Sequence, residues 1–433
     1  MKTLKKALVV VVLVLIGVGQ ALASEREERL KQIEKQIEVL TEEVEKLRLG
    51  AVAEPEYKSY TGLGPAASKV YGVEKGLSIG GYAELTYANY QHSSKNDLAD
   101  IYRFILYTGY KFSDWIVMNT ELEFEHAGIG NVEKRSSETT VEFMYLDFML
   151  SKPFNIRTGY MLMPIGFINE YHEPTVYYGS FRPDIETYII PSTWSEIGVM
   201  AYGSAGNLSY KAAIVNGLRA DLFKSSSWIK GGRQKAAKIN ADRGAALFNL
   251  NYAVTPGIIV GGTYYHGLAG SGKGGVSADS VSQPRKGTVK LWEVHAEARI
   301  KAVELRALYI EGSIDGNSWF NGSGIGKGVK GWYLEGAVDV LTLLALTTEY
   351  SLQPFVRYEK YDLNDDVFAG DTPDKTLDRT VTTVGVSFKP HPNVVLKADY
   401  QMRDTASALP EGKGSGLDEY KIDQFNAAIG FLF

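Results

Sequence analysis

The 433-residue sequence contains no cysteine, so disulfide bonds and metal sites built from thiolates are excluded. Long hydrophobic runs are also scarce. Beyond the first residues there is no run of 18 or more apolar residues, and the longest later candidate, around Val338 to Leu346, is too short for a transmembrane helix. No basic cluster stands out, so we expect no nucleic-acid partner. A soluble secreted domain and a membrane β-barrel both fit these absences, and strand periodicity must separate them.

Catalytic patterns are absent as well. There is no G-x-S-x-G motif, and the six histidines show no H-E-x-x-H spacing. The stretch 267–275, GLAGSGKGG, nearly matches a phosphate-binding loop, but Gly274 stands where Ser or Thr would bind magnesium. His172 beside Glu173 could bind a metal, although an isolated pair is more often ordinary polar loop chemistry. We therefore expect no enzyme activity, no cofactor and no metal site.

Three segments precede the first strand pattern. Residues 1–23 combine early lysines, an apolar run and Ala21-Leu22-Ala23, which predicts a secretory signal peptide. Residues 24–49 place Leu, Ile and Val at spacings alternating three and four, which predicts a coiled-coil helix of two or three strands, or an amphipathic helix lying against its own domain. Residues 50–76 are rich in Gly, Ala, Ser and Pro without an apolar period and predict a linker.

Residues 77–433 read as about sixteen β-strands of roughly ten residues each. The connections between them alternate long and short along the chain, and this is the plan of an outer-membrane barrel with antiparallel strands. Charged and apolar residues alternate within the strands, as in 288–300, where Glu293 and His295 oppose Trp292 and Val294. In a barrel the charged row faces a wet lumen. In a soluble sandwich the apolar row would be core, but so many strands would need two large sheets with protected edges.

The third long loop, Pro164 to Glu196, is the connection around which the chain is organised. It carries four of the 14 prolines, which favour a fixed irregular path. It also carries too much apolar surface to remain solvated, including Phe167, Tyr177 and Trp194. We predict that it folds into the barrel and narrows the pore, with an ordinary packed surface loop as the alternative.

Three stretches of the sequence resemble the Gram-negative trimeric porins. They are the first strand LSIGGYAELTYANY, the block GYMLMPIGFINEYHEP followed by RPDIETYIIPSTWSEIGVMAYG, and the terminal FNAAIGFLF. The resemblance covers about residues 77–433 and is nearest to the phosphate-selective branch. It implies three barrels side by side, each with its own pore narrowed by the third loop. Phosphate-selective members are implied to line the pore with Arg and Lys, whereas this loop carries five acidic residues against Arg182 alone.

The charges of the loop and wall are the candidate functional residues, because wall charges in a narrow pore are poorly screened and bias ions and dipolar solutes. For any single residue the alternative is a charge paired with its neighbour on the next strand. The predicted pore constriction comprises Glu170, Glu173, Arg182, Asp184 and Glu186, and the predicted pore wall comprises Arg103, Glu121, Glu123, Asp147 and Arg157.

The functional prediction is an outer-membrane porin that allows passive diffusion of small hydrophilic solutes and ions. Its expected partners are outer-membrane lipid, two further copies of the chain in a homotrimer, and the solutes themselves, and its coiled coil would lie in the periplasm. A phosphate or oxyanion channel and a structural barrel that tethers the envelope are the alternatives.

Overall fold

The computed structural model divides the chain into two units, Met1–Tyr57 and Lys58–Phe433. The predicted signal peptide lies outside the described residues, as does most of the predicted coiled-coil segment. The described residues between Arg29 and Ile37 are helical, and Ile33 and Ile37 are exposed. No helix among the described residues is long and apolar enough to cross a membrane. The described residues are 29, 31–33, 35–37, 59–91, 93–127, 131–132, 135–270, 286–346, 348–407 and 421–433.

Sixteen antiparallel strands form a closed barrel in which each strand pairs with its neighbours along the chain and the last pairs with the first. The prediction of an all-β barrel of about sixteen strands is therefore confirmed. The strands are β1 (Gly76–Tyr90), β2 (Leu98–Ser113), β3 (Ile116–Glu125), β4 (Glu138–Ser151), β5 (Phe154–Leu162), β6 (Ser195–Ala205), β7 (Leu208–Asn216), β8 (Gly244–Thr255), β9 (Ile258–Gly270), β10 (Lys286–Ile300), β11 (Val303–Gly316), β12 (Gly326–Val338), β13 (Ser351–Val367), β14 (Asp378–His391), β15 (Val394–Thr405) and β16 (Gln424–Leu432).

The barrel closes where β1 meets β16. Tyr82 lies opposite Leu432 and Tyr90 opposite Gln424, and the backbones of Gly81 and Phe433 exchange two hydrogen bonds of 2.9 and 3.0 Å. The predicted alternation of connections is observed with one exception. Short turns join the strands at one rim and long loops at the other, but the connection between β12 and β13 at the short-turn rim spans residues 339–350. Among the described residues of Lys58–Phe433, three short α-helices lie outside the strands: α1 (Lys69–Gly72) before β1, α2 (Ile185–Tyr188) in the third loop, and α3 (Val340–Leu343) between β12 and β13. Short 3-10 helices lie at Ala220–Leu222, Lys230–Gly232 and Ser318–Phe320.

The two faces of the strands differ as the alternation predicts. On β10, Glu293 is buried inside the barrel and His295 is half-buried beside it, whereas Trp292 and Val294 point outward and are exposed. Exposed large apolar side chains of this kind recur along the barrel strands. Such an outer surface is suited to lipid, because large exposed apolar patches are rare on soluble monomers. The inner face is polar or charged, and two segments of the chain fill part of the lumen.

Candidate functional site

The third loop occupies residues 163–194 in the structure and lies across the lumen. Asn169 holds its two ends together: the Asn169 amide donates to the carbonyls of Met163 and Trp194 at 2.7 and 2.9 Å, and its carbonyl accepts from the Trp194 amide at 2.7 Å. Asn169 and Trp194 are fully buried. Together with the backbone hydrogen bond from Met163 to Trp194, this side chain holds the two ends of the loop side by side.

The loop is attached to that opposite wall at Asp184, just before α2. Its carboxylate accepts two hydrogen bonds from Arg403 on β15 at 2.7 and 3.1 Å, and a third from the Tyr361 hydroxyl on β13 at 3.0 Å. A bidentate arginine contact of this kind fixes geometry as well as charge. Further contacts join Tyr178 to Glu304 (2.5 Å), Lys397 to the Gly179 carbonyl (3.0 Å) and Arg306 to the Val176 carbonyl (2.9 Å).

A second segment inside the barrel comprises residues 59–73, named here the lumen segment. It falls within the stretch whose composition predicts a linker, yet Leu63, Ala66 and Val70 are buried. The Asn119 amide on β3 donates to the Ala67 carbonyl at 2.8 Å. The lumen segment therefore packs on the inner wall of the first strands, on the side of the third loop that faces the short turns.

Glu173 joins the lumen segment to the third loop. Its carboxylate accepts from the backbone amides of Ala66 and Ala67 at 3.1 and 2.9 Å, and burial raises the pKa of Glu173 to about 7. The chain approaches so closely here that a Cβ added at Gly64 would lie 2.2 Å from the Glu173 carboxyl carbon. Only glycine fits at position 64 without moving this carboxylate.

Wall charges beneath the lumen segment are paired with one another. Arg157 on β5 donates to Asp147 on β4 at 2.8 and 3.1 Å, and the Tyr71 hydroxyl donates to the same carboxylate at 2.5 Å. Tyr71 also stacks on Tyr60 with ring centroids 4.0 Å apart. These two aromatic side chains of the lumen segment therefore cover the Arg157–Asp147 ion pair.

A cavity of about 470 Å³ lies between the third loop and the rim of the long loops. Its walls carry six basic and five acidic side chains, so charge of neither sign dominates. The basic residues are Arg103, Arg182, Lys230, Arg233, Lys235 and Arg403, and the acidic residues are Glu123, Glu125, Glu138, Glu142 and Asp184.

A second cavity, of about 670 Å³, lies toward the short turns. Glu170 and Tyr171 of the third loop, Thr61 of the lumen segment and Glu297 of the wall contribute to its lining. Lys211 on its wall is paired with Glu170 and donates to the Thr61 carbonyl at 2.6 Å. The third loop therefore has a water-accessible space on each side.

The predicted site residues divide between these surroundings. Those that line the first cavity are Arg103, Glu123, Arg182 and Asp184, and Glu170 lines the second. Those that line neither of the two cavities and instead bind protein groups are Glu121, Asp147, Arg157, Glu173 and Glu186. Glu173 and Glu186 are removed from the cavities because each binds a group more than a hundred residues away in the sequence. The lumen segment supplies the partner of Glu173, and the far wall supplies the partner of Glu186.

Some residues that line the lumen were not predicted from the sequence. Lys230 and Arg233 belong to the long connection after β7, and Arg233 donates to the Pro191 carbonyl at 2.8 Å. Glu142 has the strand parity of the outward-facing Met144. An irregularity opposite Glu121 and Leu122 pairs these residues with Phe143 and Val141, and Glu142 lines the cavity. A bulge of this kind leaves no clear signal in the alternation.

Glu186 of α2 provides a pH-dependent test of the loop. Its carboxylate accepts from the Tyr333 hydroxyl at 2.6 Å and the Ile168 amide at 2.7 Å, but burial dominates and raises its pKa to about 7. The folded state therefore favours the protonated Glu186 carboxyl more than the unfolded state does. The stability that this protonation contributes is lost as pH rises through about 7. We expect the free energy of unfolding of Glu186→Gln, measured relative to wild type, to increase by on the order of 3 kcal/mol between pH 5 and pH 8.5.

Urea unfolding of the barrel in detergent at the two pH values measures this difference. Glu138→Gln is the control, because the Glu138 side chain is 43% exposed and its loss should leave the pH dependence unchanged. A constant stability difference between Glu186→Gln and wild type across the range would contradict the assignment.

The architecture is that of the sixteen-stranded outer-membrane porins. Loop-deleted OmpT, an outer membrane protein of Vibrio cholerae, superimposes with a TM-score of 0.54 at 12% identity over 83% of this chain and 100% of that chain. Salmonella typhi OmpF in complex with daunomycin gives 0.53 at 12% identity over 83% and 98%. The trimer form of in-vitro folded OmpT gives 0.51 at 13% identity over 82% and 99%. At these identities the likeness is one of fold.

The chain belongs to the same family as an uncharacterized protein of Aquifex aeolicus strain VF5. The two are 37% identical over 395 residues, which cover 90% of this chain and 87% of the relative. No family model matches the chain.

Proposed function

We propose that the protein is a passive outer-membrane channel for small hydrophilic solutes and ions. The observation that carries this proposal is the position of the third loop, which crosses a closed barrel and has a polar, charged cavity on its long-loop side. In this proposal the loop forms the constriction, with Arg182 and Asp184 facing the passage from the loop and Arg103 and Glu123 facing it from the wall. Charges in such a narrow aqueous passage act at short range and are poorly screened.

The balance of charge around the first cavity supports a weak ion preference. Six basic and five acidic side chains line it, and several are already paired, such as Arg403 with Asp184. A strongly selective anion channel would need an excess of unpaired cations along the passage. General diffusion is therefore the function that this lining supports best.

The apolar outer face and the fold support a place in the outer membrane, with the short turns toward the periplasm. We further propose that three copies assemble. The support for three copies is the resemblance in sequence to trimeric porins and the trimer form of the Vibrio cholerae protein that shares the fold.

Planar-bilayer recording of the detergent-purified mature protein tests the proposal. We expect stepwise conductance that appears in threes and a reversal potential near zero in a potassium chloride gradient. A folded barrel that gives no conductance would contradict the channel. A reversal potential that shows anion preference, together with block by inorganic phosphate, would instead favour the oxyanion channel.

One observation favours the structural barrel as a second candidate. The lumen segment occupies the inner wall of β1 to β5 and is tied to the third loop through Glu173. If these two segments together close the passage, the barrel would serve the envelope without conducting. The variants in the Discussion separate the two functions.

A further inference from the structure

Two carboxylates of the barrel wall converge on one histidine of the third loop. Glu121 projects from β3, Glu142 from β4, and His172 from the loop. The His172 Nε2 atom lies 3.2 Å from Glu121 Oε1 and 4.0 Å from Glu142 Oε2. One ligand atom from each of the three residues lies within 4.8 Å of the others. Glu121 and His172 are buried, and the side chain of Glu142 is 12% exposed.

The orientation of the imidazole determines which atom faces the carboxylates. The Nδ1 atom lies 3.1 Å from the Asn169 carbonyl, which can only accept a hydrogen bond, so Nδ1 carries the proton. In the neutral ring the lone pair is then on Nε2 and points at two carboxylates, which are also acceptors. Histidine ligands of metals are held in this way by a backbone carbonyl behind the ring.

The carboxylates themselves retain free acceptor atoms. Glu121 Oε2 is buried and has no hydrogen-bond partner, and neither has Glu142 Oε2, whereas Glu142 Oε1 accepts from the Thr193 hydroxyl. A fully buried carboxylate oxygen without a donor is costly unless a cation satisfies it. The unpartnered Glu121 oxygen is an observation separate from the spacing of the three residues, and it points to the same kind of ligand.

We propose that Glu121, Glu142 and His172 bind one divalent transition-metal ion of the zinc type, which joins the third loop to the barrel wall. One imidazole nitrogen and two carboxylate oxygens form a mixed donor set that suits Zn²⁺, whereas Mg²⁺ prefers oxygen ligands and retains its waters. A fourth position is left for water. The metal would hold the loop on the side opposite to the Asp184 anchor.

Neighbouring charges of both signs surround the site. Arg182 donates to the His172 carbonyl at 3.4 Å, and Arg103 is paired with Glu84 at 3.4 Å. Glu123 lies next to Glu142, and the two carboxyl groups share a hydrogen bond. The two arginines weaken cation binding, so we expect a site of moderate affinity. The competing arrangement is a doubly protonated His172 that bridges the two carboxylates without metal.

Equilibrium dialysis of the untagged, chelator-treated full barrel against Zn²⁺, followed by elemental analysis, distinguishes these arrangements. We expect one zinc per chain in wild type, and at least about tenfold weaker binding in Glu121→Gln and His172→Gln, since each removes a ligand. The matched control is His295→Gln. His295 is also a lumen histidine beside a carboxylate, but only one carboxylate contacts it: its ring nitrogens lie 2.8 Å from Glu293 and 2.8 Å from the side-chain oxygen of Asn251.

Heat-modifiable migration in gels establishes that each variant is a closed barrel, and Glu142→Gln replaces any ligand variant that fails to fold. Retention of zinc by His295→Gln and its loss from the ligand variants supports the site. Absence of zinc from folded wild type, or equal binding by wild type and the ligand variants, would overturn it. Binding of Mg²⁺ at the same affinity as Zn²⁺ would also overturn it. The readout does not depend on conductance.

Discussion

Deletion of residues 59–73 is expected to raise single-channel conductance at least about twofold, because conductance follows the water-filled cross-section of the lumen. The lumen segment buries Leu63, Ala66, Ala67 and Val70 against the inner wall, and the deletion returns that volume to water. None of the deleted residues belongs to a barrel strand, since β1 begins at Gly76. Planar-bilayer recordings of wild type and the deletion variant measure the change.

A pair of glycine substitutions tests the contact between the lumen segment and Glu173 by adding a single methyl group. Alanine at position 64 would place Cβ 2.2 Å from the Glu173 carboxyl carbon, so Gly64→Ala should displace the segment and raise conductance or its fluctuation. Gly72→Ala is the matched control, because nothing lies within 4 Å of a Cβ at that position.

These variants also distinguish the proposed channel function from the alternative of a structural barrel. Conductance in wild type that increases on deletion supports a channel partly filled by the lumen segment. A silent wild type that conducts after deletion supports a closed structural barrel. Unchanged conductance in a folded deletion variant would contradict a role for the segment in the passage.

The second large effect is expected at the far-wall anchor. Asp184→Asn removes the charge that Arg403 binds through two hydrogen bonds. It leaves a guanidinium that is only 12% exposed without its counter-ion. Removal of one partner from a buried ion pair typically costs about 3 to 5 kcal/mol. We expect a loss of stability of that order in urea unfolding. Bilayer recordings should show larger current fluctuations, since the third loop is held less firmly.

The control is a solvent-exposed ion pair that lines the first cavity. Lys235 and Glu138 are 47% and 43% exposed, and removal of an exposed pair costs about 1 kcal/mol or less. The double variant Asp184→Asn with Arg403→Gln should recover part of the lost stability, because no unpaired buried charge then remains. A loss in Asp184→Asn no greater than that in Glu138→Gln would show that the anchor is not a stabilising contact.

The barrel could be predicted from the sequence because its signals are local. The side-chain period of two separates Glu293 from Trp292 on adjacent positions of β10, and the alternation of short and long connections sets the number and direction of the strands. The third loop was also visible, because prolines and aromatic residues cluster in one long connection.

The candidate site could be predicted only in part. Charge and strand position indicated that Arg103 and Glu123 face the lumen, and charge within the third loop indicated Arg182 and Asp184. These four residues do line the first cavity. Parity could not indicate Glu142, which lies at an irregularity in strand pairing. It also could not distinguish a charge that faces water from one that faces another segment of the chain, since both are inward-facing.

The sequence by itself determined a closed antiparallel barrel with an apolar outside and a charged inside, because alternation and turn length act between near neighbours in the chain. Only the tertiary structure decided which inward charges remain accessible. Asp184 binds Arg403, which is 219 residues away in the sequence, and Glu173 binds the backbone amide of Ala66, which is 107 residues away. The lumen segment, whose composition resembles a linker, is ordered by the wall it packs against. Such pairings depend on three-dimensional closure, which brings distant segments into one small lumen.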